Sequence, residues 1–184
     1  MGKIQGVFID RDGTIGGTGH FIHPRDFTLY PFSQKAFSLL RDHNIKMFAC
    51  TNQHRISKGQ ASIEDFRDEF LSYGFDDAFI CPHNPTDGCG CHKPSPGLLK
   101  EAANKYSMDL TDMAFIGDVG ATDMLAAHAV GAKKILVLTG WGKSSCNEYK
   151  HKWADIEPDY IAENLLDAVE WVIQYNREKN TLGL

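Results

Sequence analysis

Short apolar runs alternate with amphipathic segments along most of the chain, and this alternation constrains the fold more than any other feature. The runs are rich in β-branched and aromatic residues and are bounded by polar or turn residues, which is typical of buried strands. Strands are predicted at residues 4–9, 45–50, 78–81, 113–116 and 135–138. Strands that alternate with helices need crossover connections, so we expect a three-layer α/β fold with a parallel sheet covered on both faces.

The amphipathic segments between these runs are predicted as helices, at residues 34–42, 62–73, 97–106, 122–130 and 165–179. Ser33 is predicted to cap the first helix, because a serine hydroxyl accepts hydrogen bonds from exposed helical N–H groups. Ser62 followed by Asp65 has the pattern of a capping box. Ligands of parallel sheets bind beyond the carboxyl ends of the strands, which is where functional side chains are expected.

Composition excludes several classes of protein. The 184 residues carry 19 Lys and Arg against 24 Asp and Glu, a formal charge of −5 without a basic run, which argues against a nucleic-acid partner. No stretch approaches the roughly 18 apolar residues of a membrane helix, and an acid comes too early in the N-terminal segment for a secretory signal. The five cysteines are odd in number and partly clustered, which favours reduced thiols and a cytoplasmic location.

Two aspartates, Asp10 and Asp12, follow directly after the first predicted strand. Residues two apart in an extended chain point the same way, so both carboxylates can face one small volume. Such a pair repels itself unless a cation lies between the two groups. The alternative is a solvated acidic turn without a function.

Three further segments place polar residues where strands end or helices begin. Thr51 and Asn52 can donate hydrogen bonds to phosphate oxygens, although they can equally start a loop. Lys93 precedes a predicted helix and adds positive charge to its N-terminus, although a surface lysine is the simpler reading. Asp118 follows a predicted buried strand, and Asp123 comes five residues later. The alternative to a functional role is that Asp118 caps the following helix and that Asp123 is an acid in its first turn.

Taken together and in order, these motifs resemble the four motifs of the haloacid dehalogenase (HAD) superfamily. The resemblance extends from residue 4 to about residue 140 and rests on Asp10-x-Asp12-Gly13-Thr14, Thr51, Lys93, and Gly117-Asp118 with Asp123. It implies a Rossmann-like, HAD-like fold and a phosphatase that works through an aspartyl-phosphate. By this resemblance Asp10 is the nucleophile and Asp12 the general acid and then base, while Thr51 and Lys93 hold the transferring phosphoryl group.

A phosphate monoester is a dianion near pH 7, so an attacking carboxylate needs a cation to offset repulsion, and Mg²⁺ suits oxygen ligands. By the resemblance, Mg²⁺ is held by Asp10, by the backbone carbonyl of Asp12 and by Asp118. Asp123 supports this site or pairs with Lys93.

A second metal is indicated by the segment 81–94, CPHNPTDGCGCHKP, which reads C-x-H-x5-C-x-C and runs into Lys93. Three sulfurs and an imidazole suit a closed tetrahedral Zn²⁺ site, and four protein ligands leave no position for catalysis. The predicted structural ligands are Cys81, His83, Cys89 and Cys91. The alternative is a group of incidental thiols.

This loop, 81–93, resembles that of the bacterial heptose-bisphosphate phosphatase and histidinol-phosphatase branch of the superfamily. The resemblance implies one small cytoplasmic domain, residues 1–184, without a cap domain. It also implies a small phosphorylated metabolite as substrate. The charge and the lack of a long apolar stretch predict no nucleic-acid or membrane partner, and a monomer or small homo-oligomer is expected. A heptose-bisphosphate type of sugar phosphate is expected first, with histidinol phosphate as the alternative. A phosphoacceptor switch domain without turnover is the alternative from another class.

The chain departs from the heptose-bisphosphate pattern near the expected substrate. His54 and Arg55 follow the TNQ segment where that branch has Ser-Gly, and His92 stands where it has an arginine before the lysine. Arg11 and Arg55 can compensate for the missing guanidinium, because arginine binds phosphate through two parallel hydrogen bonds. With Asn52 they are the predicted substrate-binding residues. Two histidines in the loop after the first motif, His20 and His23, have no predicted role.

Overall fold

The computed structural model describes residues 2–181 and contains one sheet of six parallel strands, in the order β3-β2-β1-β4-β5-β6. The strands are β1 Gly6–Ile9, β2 Lys46–Asn52, β3 Asp77–Cys81, β4 Met113–Gly117, β5 Lys133–Val137 and β6 Tyr160–Ala162. The first five confirm the strands predicted from the sequence. Strand β6 was not predicted, because its three residues are too few to show a periodic pattern.

Six α-helices accompany the sheet: α1 Ser33–Asp42, α2 Ile63–Ser72, α3 Gly97–Tyr106, α4 Leu125–His128, α5 Gly142–Cys146 and α6 Leu165–Thr181. The helix predicted at residues 122–130 is shorter than expected. A π-helical turn occupies Gly120–Met124, and the α-helix begins only after it. Helix α5 was not predicted, since its five residues span little more than one turn.

The two predicted caps differ in outcome. Ser62 forms the capping box: its hydroxyl accepts a hydrogen bond from the Asp65 N–H at 3.1 Å, and the Asp65 carboxylate accepts one from the Ser62 N–H at 2.7 Å. The prediction for Ser33 was wrong, because Phe32 occupies the cap position and Ser33 is already helical. The buried Ser33 hydroxyl instead donates to the Ile15 carbonyl at 2.8 Å.

Hydrophobic cores lie on both faces of the sheet. Alternate residues of β1 face opposite ways, so Val7 and Ile9 belong to one core and Phe8 to the other. The first core packs against α1, α2 and α6, and the second against α3 and α4. The predicted three-layer arrangement is therefore confirmed. Among residues 2–181 we find no helix with the length and apolar character needed to cross a membrane.

The sheet topology directs several functional segments to one edge. The chain leaves β1 toward β2 and β3 and later returns to the other side of β1 as β4, so the strand order reverses at β1. Ile9 pairs with Ala49 of β2 and with Ile116 of β4. The residues that follow these positions consequently lie level with one another, at the switch point where ligands bind in open α/β sheets.

Candidate active site

A cavity of about 180 Å³ opens beyond the carboxyl ends of β1, β2 and β4. Seven of the residues predicted to belong to the site line it: Asp10, Asp12, Thr51, Asn52, Arg55, Lys93 and Asp123. These residues are up to 113 positions apart, the interval between Asp10 and Asp123. The parallel sheet is what brings them together.

The buried ammonium group of Lys93 lies at the centre of this arrangement. Its Nζ atom donates to Asp10 Oδ1 at 2.9 Å, to Asp123 Oδ1 at 2.6 Å and to the Cys50 carbonyl at 2.9 Å. Burial opposes the charged form, but the carboxylates of Asp10 and Asp123 outweigh it and raise the pKa of Lys93. The lysine is therefore charged and held in place by three partners: Asp10 after β1, Cys50 in β2 and Asp123 in the π-helical turn that follows β4.

Three carboxylates form a compact group beside this lysine. Asp10, Asp118 and Asp123 each offer an oxygen within 4.8 Å of the others. Asp118 is fully buried, and its Oδ2 atom accepts a hydrogen bond from the Trp141 backbone N–H at 2.8 Å. Burial, followed by the nearby charges of Asp10 and Asp123, raises the pKa of Asp118 well above its usual range. Three acids against one lysine leave an excess of negative charge, and hard oxygen donors of this kind suit Mg²⁺.

Two glycines allow the backbone to approach Asp118 closely. Gly13 and Gly140 have φ angles of 85° and 54°, in the region that favours glycine. A Cβ atom added at either position would collide with the Asp118 carboxylate. A larger residue at position 13 or 140 would therefore displace the Asp118 carboxylate from the cluster of three carboxylates.

Asp12 takes part in a different set of contacts from the other acids. Its Oδ1 atom accepts from Arg11 Nη1 at 2.7 Å, and its Oδ2 atom accepts from Gln53 Nε2 at 2.6 Å. Burial raises the pKa of Asp12 to about 6, against the lowering effect of Arg11. Gln53, which the sequence analysis did not assign to the site, also donates to Thr51 Oγ1 at 3.0 Å. Its spacing of two from Thr51 in an extended segment was the signal that could have identified it.

The prediction that Arg11 binds substrate was wrong. Its side chain is fully buried, and its Nε and Nη2 atoms donate to Glu69 Oε2 and Oε1 at 2.6 and 2.8 Å. The guanidinium carbon lies 3.7 Å from the ring centre of Phe27 and 4.9 Å from that of Phe66. In an extended segment, Arg11 points to the side opposite its two neighbours, so it enters the core and not the cavity.

Asn52 joins the end of β2 to the loop that carries the lysine. Its Oδ1 atom accepts from the Lys93 N–H at 2.9 Å, and its Nδ2 atom donates to the Lys93 carbonyl at 3.0 Å. Both backbone groups of Lys93 are thereby fixed to the strand. The side chain also borders the cavity, so its predicted contact with substrate stays a prediction.

Arg55 and His54 also line the cavity. The Arg55 Nε atom is buried and has no hydrogen-bond partner within the described part of the chain. His20 packs edge-on against Trp141, with ring centres 5.2 Å apart. His23 Nδ1 accepts from a backbone N–H in the 3₁₀ turn that follows it. The two loop histidines therefore have structural contacts.

The predicted zinc ligands lie together: Cys81 ends β3, and the other three are on the loop between β3 and α3. The Sγ atom of Cys81 is 3.7 Å from that of Cys89 and 3.3 Å from that of Cys91. His83 Nδ1 is 3.7 Å from the Cys81 sulfur and 3.2 Å from the Cys91 sulfur. Zn–S bonds of about 2.3 Å in a tetrahedron place the sulfurs about 3.8 Å apart. The observed separations fit such a site, so this cluster can hold zinc.

Known proteins resemble the chain in both sequence and structure. A family model described as HAD-hydrolase-like matches residues 90–168. The D-glycero-beta-D-manno-heptose-1,7-bisphosphate 7-phosphatase of Haemophilus ducreyi is 30% identical over 190 residues, covering 94% of this chain and 100% of the relative. The enzyme of the same name from Pseudomonas aeruginosa is 33% identical over 147 residues, covering 74% of this chain and 82% of the relative.

A crystal structure of the D,D-heptose 1,7-bisphosphate phosphatase from Bordetella bronchiseptica, in complex with magnesium and phosphate, superposes with a TM-score of 0.76. The sequence identity is 27%, and the match covers 92% of this chain and 98% of the other. With the motif residues gathered around one cavity, these similarities show that the chain belongs to the haloacid dehalogenase-like phosphatases, in the group that includes the heptose-bisphosphate phosphatases.

Proposed function

We propose that the chain is a Mg²⁺-dependent phosphomonoesterase that acts through an aspartyl-phosphate on a sugar phosphate of the heptose-bisphosphate type. The observation that carries the proposal is the arrangement around the cavity: Asp10 is tied to the buried Lys93, and Asp12 stands beside it with separate hydrogen-bond partners. One carboxylate is thus suited to attack and the other to move protons.

In the first step the Asp10 carboxylate attacks phosphorus, and the bond from phosphorus to the ester oxygen breaks. Asp12 gives its proton to the departing alkoxide, which leaves as the alcohol. A pKa raised to about 6 suits this transfer, because a general acid works best near the pH of its surroundings. Splitting the displacement through a covalent intermediate makes each of the two steps easier.

In the second step Asp12 accepts a proton from water, whose oxygen attacks the phosphorus of the aspartyl-phosphate. Inorganic phosphate departs and the Asp10 carboxylate is restored. Lys93 and the Thr51 hydroxyl stabilise the charge that spreads over the phosphoryl oxygens. Thr51 Oγ1 already accepts a hydrogen bond from Gln53, so its own proton is available for the phosphoryl group.

The two metals have separate proposed roles. Asp10 and Asp118, with the backbone carbonyl of Asp12, would hold Mg²⁺, which supplies neutralising charge for the phosphate and the attacking carboxylate. Asp123 supports that group through its ion pair with Lys93. The cysteine and histidine cluster would hold Zn²⁺ as a structural ion, and it keeps the loop folded beside the lysine.

The substrate is proposed from the relatives and from Arg55, which lines the cavity. The named relatives are phosphatases of heptose bisphosphates, and a second phosphate gives a substrate an anion away from the reacting centre. Arg55 offers a cation whose Nε atom lacks a partner within residues 2–181. We therefore assign binding of the second phosphate of the substrate to Arg55. Asn52 completes the proposed substrate contacts. A single domain of residues 1–184, acting in the cytoplasm, is part of the same proposal.

A substrate panel tests this function. Phosphate release is measured with and without Mg²⁺ from a heptose 1,7-bisphosphate, the matching heptose monophosphate, histidinol phosphate and 4-nitrophenyl phosphate. We expect Mg²⁺-dependent turnover of all sugar esters, with the highest kcat/KM for the bisphosphate. A higher kcat/KM for histidinol phosphate would replace the proposed substrate, and a phosphorylated protein without turnover would point to a switch domain.

The assignment of Arg55 is tested with a matched pair of variants. Arg55→Gln should reduce kcat/KM for the bisphosphate by about tenfold or more, because a charged hydrogen bond contributes about 1.5–3 kcal/mol. It should leave the monophosphate nearly unchanged. Lys58→Gln removes an exposed cation from the same loop and serves as the control. Equal losses for the mono- and bisphosphate would contradict the assignment.

A further inference from the structure

A buried ion pair behind the cavity has no part in the steps above. Glu69, on α2, accepts two parallel hydrogen bonds from Arg11, at 2.6 and 2.8 Å. The side chains of Arg11 and Glu69 are 0% and 4% exposed. Removing two charges from water is costly, and a buried pair often stabilises a fold no more than apolar residues of the same size. Stability alone is therefore a weak reason for this pair.

The ion pair with Glu69 leaves one nitrogen of Arg11 free to contact the cavity residue Asp12. Two nitrogens of Arg11 are bound to Glu69, and the guanidinium plane lies against the rings of Phe27 and Phe66. The third nitrogen, Nη1, donates to Asp12 Oδ1 at 2.7 Å. Because the planar fork is fixed at two points and packed against two rings, the direction of its third donor is fixed as well.

Asp12 is thereby held from two sides. Arg11 binds its Oδ1 atom from the core, and Gln53 binds its Oδ2 atom at 2.6 Å from the end of β2. Asp12 remains partly open to the cavity, with a side-chain exposure of 15%. A group that transfers a proton must be kept within hydrogen-bond reach of the reacting oxygen, and small misplacements lower the rate strongly.

We infer that Glu69, acting through Arg11, is a positioning residue for proton transfer by Asp12. This inference rests on the proposed function of Asp12 as general acid. Glu69 does not line the cavity, so it acts on the reaction only by keeping the Arg11 fork in one orientation. Loss of that orientation should affect protonation of the leaving group and leave phosphate binding and nucleophilic attack intact.

Leaving-group dependence tests the inference. A sugar alkoxide needs a proton in order to depart, whereas 4-nitrophenolate leaves without one. The parameter kcat/KM reports the steps up to departure of the alcohol, so it isolates the proton transfer from the later hydrolysis. For Glu69→Gln we expect kcat/KM to fall by about 10- to 100-fold with the sugar phosphate, the range typical of lost supporting contacts. With 4-nitrophenyl phosphate the loss should stay below about threefold, since no general acid is needed there.

Two further variants make the result interpretable. Asp68→Asn removes an exposed acid from the neighbouring position of α2 and should match the wild type with both esters. Glu69→Asp keeps the buried charge, so it remains folded if the glutamine variant does not, and it should show the same selective loss to a smaller extent. Thermal unfolding verifies the fold of each variant.

The possible outcomes are distinct. A selective loss with the sugar phosphate supports the inference. Equal losses with both esters, or no loss with either, in the folded variants would overturn it and leave the proposed function standing. A wild-type chain that releases no phosphate from either ester contradicts the proposed function and this inference with it.

Discussion

The two clusters that can hold metal ions are built in opposite ways. The carboxylates of Asp10, Asp118 and Asp123 come from two segments separated by about a hundred residues and are buried or nearly so. They are held by groups outside the cluster, such as the N–H groups of Val119 and Trp141. The cluster of Cys81, His83, Cys89 and Cys91 spans eleven residues, and Cys81 is its one buried member.

The contrast teaches which parts of the site depend on a metal. The cluster of three carboxylates should form whether or not a cation is present, because the hydrogen bonds to these carboxylates come from the backbone and from Lys93. In the surface loop, the sulfur and nitrogen atoms contact chiefly one another. Removal of the ion should therefore change chemistry at the first cluster and local structure at the second.

The largest effect is expected at the carboxylate group. Asp10→Asn keeps the shape of the side chain but removes the nucleophile, so turnover should fall by about 10⁴-fold or more, as for other covalent catalysts. The fold should persist, because the substitution also removes repulsion from Asp118 and Asp123. Phosphate release and thermal unfolding measure the two effects. Asp26→Asn, at an exposed position of the following loop, is the control, and turnover by Asp10→Asn near the wild-type rate would refute the assignment.

A smaller loss of activity with a larger change in local order is expected at the sulfur cluster. Cys91→Ser should lower the zinc content and Tm, and it should reduce kcat/KM by about tenfold, because Lys93 follows two residues later. Cys146→Ser changes a cysteine outside the cluster and should retain both zinc and activity. The comparison fails if Cys91→Ser retains its zinc, or if it loses zinc and keeps full activity and Tm.

The smallest effect is a change in the pH dependence of stability. Without metal, burial raises the pKa of Asp123 from 3.8 to about 6, and the pKa of Asp12 likewise. Between pH 3.8 and about pH 6 the folded chain therefore binds more protons than the unfolded chain. Protonation of the two buried carboxylates stabilises the fold in this range, and that stabilisation is lost as pH rises toward about 6. The charge of a nearby Mg²⁺ would favour the ionised form of both carboxylates, so metal binding and protonation of Asp12 and Asp123 oppose each other.

The gain in Tm on adding Mg²⁺ should consequently grow by a few degrees between about pH 5 and about pH 7. Thermal unfolding of the zinc-loaded chain, with and without Mg²⁺, measures this gain. The Cys91→Ser variant is the matched control, because it alters the surface cluster and should show the same trend. A gain that is constant with pH would contradict a role for protons at the carboxylate group.

Much of the site could be predicted because its determinants are local in sequence. Asp10, Asp12 and Asp118 follow recognisable buried strands, and the zinc ligands lie within one loop. Arg11, Gln53 and Glu69 show the limit of that reasoning. Alternation in an extended segment already directs Arg11 away from Asp10 and Asp12, but its partner Glu69 lies 58 positions away, and no local pattern identifies that partner. Strand β6 and helix α5 were missed because they are too short to show periodicity.

The π-helical turn at Gly120–Met124 has a consequence for how such chains can be compared. It accommodates one more residue per turn than an α-helix, and each residue of an α-helix advances the side chain by about 100°. Deleting one residue between Asp118 and Asp123 would restore α-helical geometry and turn the second aspartate away from Lys93. Both acids would still be present, and an alignment would still score the motif. The interval between the two acids, and not only their identity, thus decides whether Asp123 reaches Lys93.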